Sequence, residues 1–282
     1  MSMRDSGRTL APALRSITQQ HFRDWEMILV DDGSSDDSVA LARRVADERI
    51  RLFTDGRWLG LAMRLNQAID AARGRFIARM DADDVAYPER LALQCDFLER
   101  NPGVDVLGCG MMVFRDGGLP VGSFPVRTTH EAICARPYAG FHLAHPTWMG
   151  RVEWFRRWRY DPRCLRAEDQ DMLLRAFGDS SYAALPDILL GYRQDRASIR
   201  KSYRGRRTFS RSVWRHASEH RQLAVGAMAI GEQMLKLAYD TVAIGTGTSR
   251  KLLRHRARPV SEEEIARWRR VWLACNTSGD CM

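Results

Sequence analysis

The sequence predicts an α/β fold, a mostly parallel sheet flanked by helices, followed by a helical tail of different character. Short apolar runs alternate with helix-spaced segments through the first two hundred residues, the pattern of strands joined by right-handed crossovers. Two of those runs end abruptly in acidic turns, Asp31-Asp32-Gly33 and Asp81-Ala82-Asp83-Asp84. The charge then changes near residue 200. From Arg200 onward 17 Lys and Arg stand against 7 Asp and Glu, whereas 27 stand against 28 before it. We therefore divide the chain into a ligand-binding domain over 1–200 and a basic, mainly helical extension over 201–282.

Each element has its own signal. Leu10, Leu14 and Ile17 recur at helical spacing, with Pro12 tolerable in a first turn. Glu26 to Val30 is a short apolar strand running into a polar turn, and Val39, Ala42, Val45 and Ala46 share one side of the helix after it. Ile50 to Phe53 reads as a strand and Leu61 to Ala72 as a helix. Arg75 to Met80 is a third strand, and Pro88 opens a helix that turns Leu91, Cys95 and Leu98 inward. Val104–Phe114 is an apolar strand interrupted by Gly108 and Gly110, and 141–150 a loop entering a strand. A helix starts at Glu168-Asp169, and the tail from 205 is mostly helical, with a break at Gly245-Thr246-Gly247.

Composition narrows the class. With 45% hydrophobic and 28% charged residues the chain can bury a core and is neither disordered nor fibrous. No apolar run reaches the roughly eighteen residues of a bilayer span, and no apolar stretch follows the first residues as in a secretory signal. The expected compartment is the cytoplasm. The six cysteines form no Cys-x-x-Cys pair, which gives no reason to expect zinc.

In open parallel sheets ligands bind beyond the carboxyl ends of the strands, where both acidic turns fall. Asp81 and Asp83 are hard oxygen donors suited to Mn²⁺ or Mg²⁺, which could bridge to a substrate diphosphate. Without a cation the same turn could be solvated, with Asp84 capping the next helix. At 31–33 a carboxylate could accept from a base or ribose, Gly33 allowing the sharp turn; an ordinary capped loop is the competing reading. Glu168 and Asp169 open a helix whose dipole favours their ionised form, as a general base requires and as ordinary helix-start charge also displays.

Taken together, Ile28-Leu-Val-Asp-Asp-Gly-Ser-Ser-Asp36, Met80-Asp-Ala-Asp-Asp84 and Ala167-Glu-Asp-Gln-Asp-Met-Leu-Leu-Arg175 resemble the signatures of family 2 glycosyltransferases. Ala71-Ala-Arg-Gly74, His145-Pro-Thr147 and Leu189-Leu-Gly-Tyr-Arg193 match the same family's habits. The resemblance covers roughly residues 1–200. It implies the GT-A fold, a Rossmann-type sheet, and inverting sugar transfer from a nucleotide-sugar, often a UDP-sugar, to a glycan or lipid-linked acceptor in cell-surface polysaccharide or glycolipid synthesis. By that resemblance Asp31, Asp32, Gly33 and Asp81 serve the nucleotide and Arg64 reaches the diphosphate. Asp83 and Asp81 hold the metal. Asp169 is the catalytic base with Glu168 beside it, and His145 orders its loop.

Two departures qualify the likeness. The family's first apolar strand is missing from the sequence, which begins inside the following loop. No Gln-x-x-Arg-Trp motif is evident, which points to addition of single sugars. A catalytically silent binding protein of the same fold and a nucleotidyltransferase remain as rival readings. The basic tail suits at most peripheral, salt-sensitive contact with the inner face of an anionic membrane. Nucleic acid is not expected, because aromatic residues do not alternate with the basic ones as a stacking platform requires.

Overall fold

A computed structural model describes residues 1–45, 47–194, 198–246 and 258–276. Strand β1 is Ser2–Met3, helix α1 Leu10–Thr18, β2 Met27–Asp31, α2 Ser38–Arg44, β3 Ile50–Phe53 and α3 Leu61–Ala71. β2 is buried along its whole length, as an uninterrupted apolar run in a parallel sheet must be. It pairs in parallel with β3, Met27 opposite Ile50 through Val30 opposite Phe53.

The second sheet contains β4 (Phe76–Ala78), β5 (Val85–Ala86), β6 (Val106–Arg115), β7 (Leu119–Ser123), β8 (Met149–Arg151) and β9 (Tyr182–Arg193). Its order is β4-β8-β6-β9-β5, with β7 paired to β6. The parallel pairing expected from the sequence holds for β1 to β3 and for β6 with β9; the other pairs are antiparallel. The physical reason is connection type. Three residues join β6 to β7, and between β7 and β8 lie only the single α-helical turn α5 (His130–Ile133) and two three-residue 3-10 turns, too little for a long crossover. Helix α4 (Arg90–Arg100) follows β5, and α6 (Val152–Arg157) and α7 (Glu168–Ala176) lie between β8 and β9.

The first strand, expected to be missing, is present as the two-residue β1. It lies parallel to β2, with Ser2 opposite Val30 and Met3 opposite Asp31. Val30 N–H donates to the Met1 carbonyl and Asp32 N–H to that of Met3, both at 2.9 Å. The Met1 amine donates to the Ile28 carbonyl at 2.7 Å. Beyond that point a cavity of about 630 Å³ separates Met27 and Ile28 of β2 from Phe76, Ile77 and Ala78 of β4.

The tail holds α8 (Ile199–Glu219), α9 (Leu223–Gly245) and α10 (Glu262–Asn276). The short link between α8 and α9 folds them back antiparallel. The expected break at Gly245 to Gly247 coincides with the end of α9, although Gly247 lies outside the described residues. α10 departs from the hairpin and joins the body. Trp268, fully buried, donates through its indole N–H to the Gly118 carbonyl at 2.7 Å and packs with Val85, Tyr87 and Phe114. No helix among the described residues is long and apolar enough to cross a membrane.

Candidate active site

The two acidic turns have different structural lives. At the end of β2 the Asp31 carboxylate turns back on its own loop. It accepts from the Ser34 hydroxyl at 2.5 Å, the Ser34 N–H at 3.1 Å, the Gly33 N–H at 3.2 Å and the Thr54 hydroxyl at 3.3 Å. Asp32 reaches the next helix, accepting from Leu59 N–H at 2.7 Å and Gly60 N–H at 3.0 Å, where α3 begins. Gly33 has φ +70°, and a Cβ there would lie 2.9 Å from the Arg57 carbonyl carbon, so only glycine fits without strain.

Arg64, expected at the diphosphate, is instead 1% exposed and engaged inside this loop. It donates to Asp32 at 3.1 Å, to Asp55 at 2.6 Å and to Gln67 at 2.9 Å. Its hydrogen bonds hold Asp55 down to about 2. The helix that carries Arg64 points the guanidinium back toward its own N-terminus, where the aspartates lie.

The turn after β4 is built differently. Asp81, Asp83 and Asp84 bring carboxylate oxygens within 4.8 Å of one another. Arg79, 6% exposed, grips Asp81 with both its terminal nitrogens, at 2.7 Å and 2.5 Å. Nothing comparable neutralises the other two. Burial and the charge of Asp81 raise the Asp83 carboxyl to about 6. Asp84 is fully buried, and burial first, then Asp81 and Asp83, push its carboxyl well above the ordinary range. One Asp84 oxygen accepts from Arg193 N–H at 3.0 Å; the other, Oδ2, is buried with no partner. An orphaned buried acceptor among three crowded carboxylates fits a hard divalent cation, which would satisfy the lone pairs and the charge together. Asp84 is thus a member of the cluster, whereas the sequence offered it as a helix cap.

Arg193 braces this turn from β9. Its side chain donates to the Asp83 carbonyl at 3.1 Å and to Asp116 at 2.9 Å, and its guanidinium lies 4.8 Å from the Phe114 ring centroid and 5.8 Å from that of Trp272 on α10. The tail therefore supports the acidic turn, a role the sequence did not disclose because the partners are far apart along the chain.

Glu168 and Asp169 open α7 as expected. Glu168 is buried and Asp169 half-buried, and burial raises both carboxyls above their ordinary values. For Asp169 burial is the largest influence, and it acts against the Gln170 amide, which donates at 3.3 Å. Asp169 opens into a cavity of about 220 Å³ lined with Phe124, Pro125, Phe141, His142 and Leu143.

Arg79 links the two carboxylate groups. Its charge acts on Asp84, on Asp169, on His145 and on the Tyr160 hydroxyl, while Tyr160 also feels Asp169, Glu168 and Asp81. Arg79 thus contacts Asp81 directly, and its charge reaches Asp83, Asp84 and Asp169. Asp31, Asp32 and Arg64 form a neighbouring, self-contained loop. His145 is hydrogen-bonded to the Tyr160 hydroxyl at 2.7 Å and packs edge-on against Trp148. Burial and Arg79 push its imidazole well below the ordinary histidine range.

The chain resembles known proteins over this whole region. The family model described as glycosyl transferase family 2 matches residues 1–159. EpsE of Bacillus subtilis (strain 168), which carries a glycosyltransferase name, is 34% identical over 221 residues, 76% of either chain. Among solved structures, S. aureus TarS 1-349 in complex with UDP superposes with a TM-score of 0.62 at 19% identity, covering 97% of this chain and 78% of that one. The mannosyltransferase PcManGT from Pyrobaculum calidifontis, in complex with GDP-Man and Mn²⁺, gives 0.60 at 16%, covering 97% and 84%. The architecture is that of GT-A glycosyltransferases, and the chain belongs to glycosyl transferase family 2.

Proposed function

We propose that this glycosyltransferase moves a sugar from a nucleotide-activated donor, a UDP-sugar in the first instance, to a hydroxyl on a glycan or lipid-linked acceptor. The reaction inverts the anomeric carbon and serves cell-surface polysaccharide or glycolipid synthesis. The observation that carries the reading is the carboxylate trio with its unpartnered Asp84 oxygen, together with half-buried Asp169, which the charge of the same Arg79 reaches. That TarS was solved with UDP and PcManGT with GDP-Man and Mn²⁺ supports the same class of donor and ion.

Asp83 and Asp81 would hold Mn²⁺ or Mg²⁺, with Asp84 behind them. When bound, such an ion neutralises charge developing on the departing diphosphate. Asp31, Asp32 and Gly33 form the floor under base and ribose, and Arg64 keeps that floor rigid. The acceptor enters beside Asp169 through the cavity lined with Phe141 and Leu143. Its hydroxyl oxygen attacks the anomeric carbon as the bond to the diphosphate oxygen breaks and the electron pair leaves with the diphosphate. The hydroxyl proton passes to Asp169. Burial that raises the Asp169 carboxyl also strengthens it as a base, and its charge in turn raises the carboxyl of buried Glu168 beside it.

The test is Asp169→Asn. Transfer should fall by about two to four orders of magnitude, while binding of the donor nucleotide, followed by calorimetry, stays as in the parent. Turnover equal to the parent would remove Asp169 as the base.

A further inference from the structure

The outer side of the α8–α9 hairpin has a chemistry that sugar transfer does not use. α9 carries three charged residues, Glu232, Lys236 and Asp240, and all three turn inward. Glu232 pairs with Arg136 at 2.6 Å, Lys236 donates to the Ala139 carbonyl at 3.3 Å, and Asp240 accepts from Arg206 at 2.7 Å. Gly226, Ala229, Gln233 and Ala243 are buried on that same side. The opposite side contains no charge. Met228, Leu235 and Val242, spaced by seven, are 70%, 73% and 64% exposed, and Met234 is 64% exposed beside them. A helix buried in a protein would not leave such a stripe in water.

α8 supplies the other half. Arg200, Arg204, Arg207 and Arg211 are exposed at spacings of four, three and four, one line along the helix, and Trp214 continues it. None of the four forms a salt bridge with a described residue. α8 faces the body through Arg215, which reaches Asp161 and Asp171, and faces α9 through Arg206 and Ala217. α9 faces the body at Ala139 and Arg136. Each helix of the antiparallel pair thus has its free side turned away from these contacts, and we take the arginine line of α8 and the apolar stripe of α9 as two halves of one outer surface.

We propose that this surface docks on an anionic lipid bilayer, α9 sinking Met228, Leu235 and Val242 below the headgroups while the α8 arginines meet lipid phosphates. The chemistry decides among occupants. A second copy of the chain would bring an arginine line of the same sign to the contact. A nucleic acid would engage the arginines but leave the apolar stripe in water. A bilayer with acidic headgroups satisfies both halves. The inference stands on the hairpin alone and does not depend on the reading of the donor site.

The experiment is vesicle sedimentation of the whole chain with phosphatidylcholine alone and with phosphatidylcholine containing phosphatidylglycerol. Recovery is expected with the acidic vesicles only, weakening as salt is raised. Leu235→Glu and Met228→Glu, at exposed sites that leave the fold intact by melting temperature, should abolish it. Replacing the four arginines by glutamine should lower the partition coefficient at least tenfold, since each basic residue near such a surface contributes about 1 kcal/mol, roughly fivefold. Equal recovery on neutral and acidic vesicles would overturn the proposal, as would recovery unchanged in both sets of variants. So would a dimer in ultracentrifugation, without vesicle binding, that Leu235→Glu dissociates.

Discussion

At Asp83, burial and crowding of a single side chain act at the expense of the free protein. Its carboxyl is raised to about 6 from an ordinary 3.8 by burial and by Asp81. A raised native value means that its contribution to stability is fullest below 3.8 and is lost as the pH rises through about 6. In a metal chelator, Asp83→Asn should therefore melt higher than the parent at pH 7.5 and close to it at pH 4. Adding Mn²⁺ should stabilise the parent and not the variant. Melting curves across this pH range test the assignment, and a variant that melts lower at pH 7.5 would contradict it. At this scale the sequence was informative where chemistry is local. Asp81 and Asp83 announce themselves by crowding at a strand end. Asp84 does not, because its burial and its hydrogen bond from the Arg193 N–H, 109 residues away, are set by β9 and not by its own turn. Arg64 misled for the same reason: nothing in its own helix discloses that Asp32 and Asp55 take its donors.

Among elements, β1 is the one whose length matters most. Two residues pair with the carboxyl end of β2, and the rest of the slot between β2 and β4 is a cavity of about 630 Å³ with the Met1 amine buried at its mouth. Burial and Arg79 lower that amine from 8.0 to about 5. A lowered native value means that its contribution to stability is fully present above pH 8 and is lost as the pH falls toward 5. An apolar strand of about four residues grafted ahead of Met1 would span the slot at roughly 3.3 Å per residue. It would fill the cavity, complete the ladder and remove the buried amine. The grafted chain should melt higher than the parent, with a gain larger at pH 6 than at pH 8; an unchanged melting temperature would contradict the slot reading. The strand and helix alternation that predicted β2, β3 and α3 was legible because each is a local periodic pattern. The mixed second sheet was not, since the parallel pairing of β6 with β9 joins residues 76 to 79 positions apart, such as Val106 with Tyr182 and Phe114 with Arg193. β1 escaped notice because two residues are too few to show a period.

For the whole molecule, the tail does two separate things that a charge count cannot distinguish. α10 returns to the body, where Trp268 fills a core with Phe114, and Trp272 lies against Arg193, the residue that braces the acidic turn. The α8–α9 hairpin keeps its arginine line and apolar stripe outside. In the body, the Asp81, Asp83 and Asp84 carboxylates, with Asp169 under the charge of the same Arg79, are proposed to take a nucleoside diphosphate together with a divalent ion. Thermal unfolding in UDP, GDP, CDP and dTDP, each with and without Mn²⁺, tests this most directly. A ligand at a hundred times its dissociation constant stabilises by about 2.7 kcal/mol, several degrees for a chain of this size. One nucleotide should raise the melting temperature only when the metal is present, and Asp83→Ala should erase the shift. No shift with any nucleotide, or a shift that persists without metal and survives Asp83→Ala, would contradict the account.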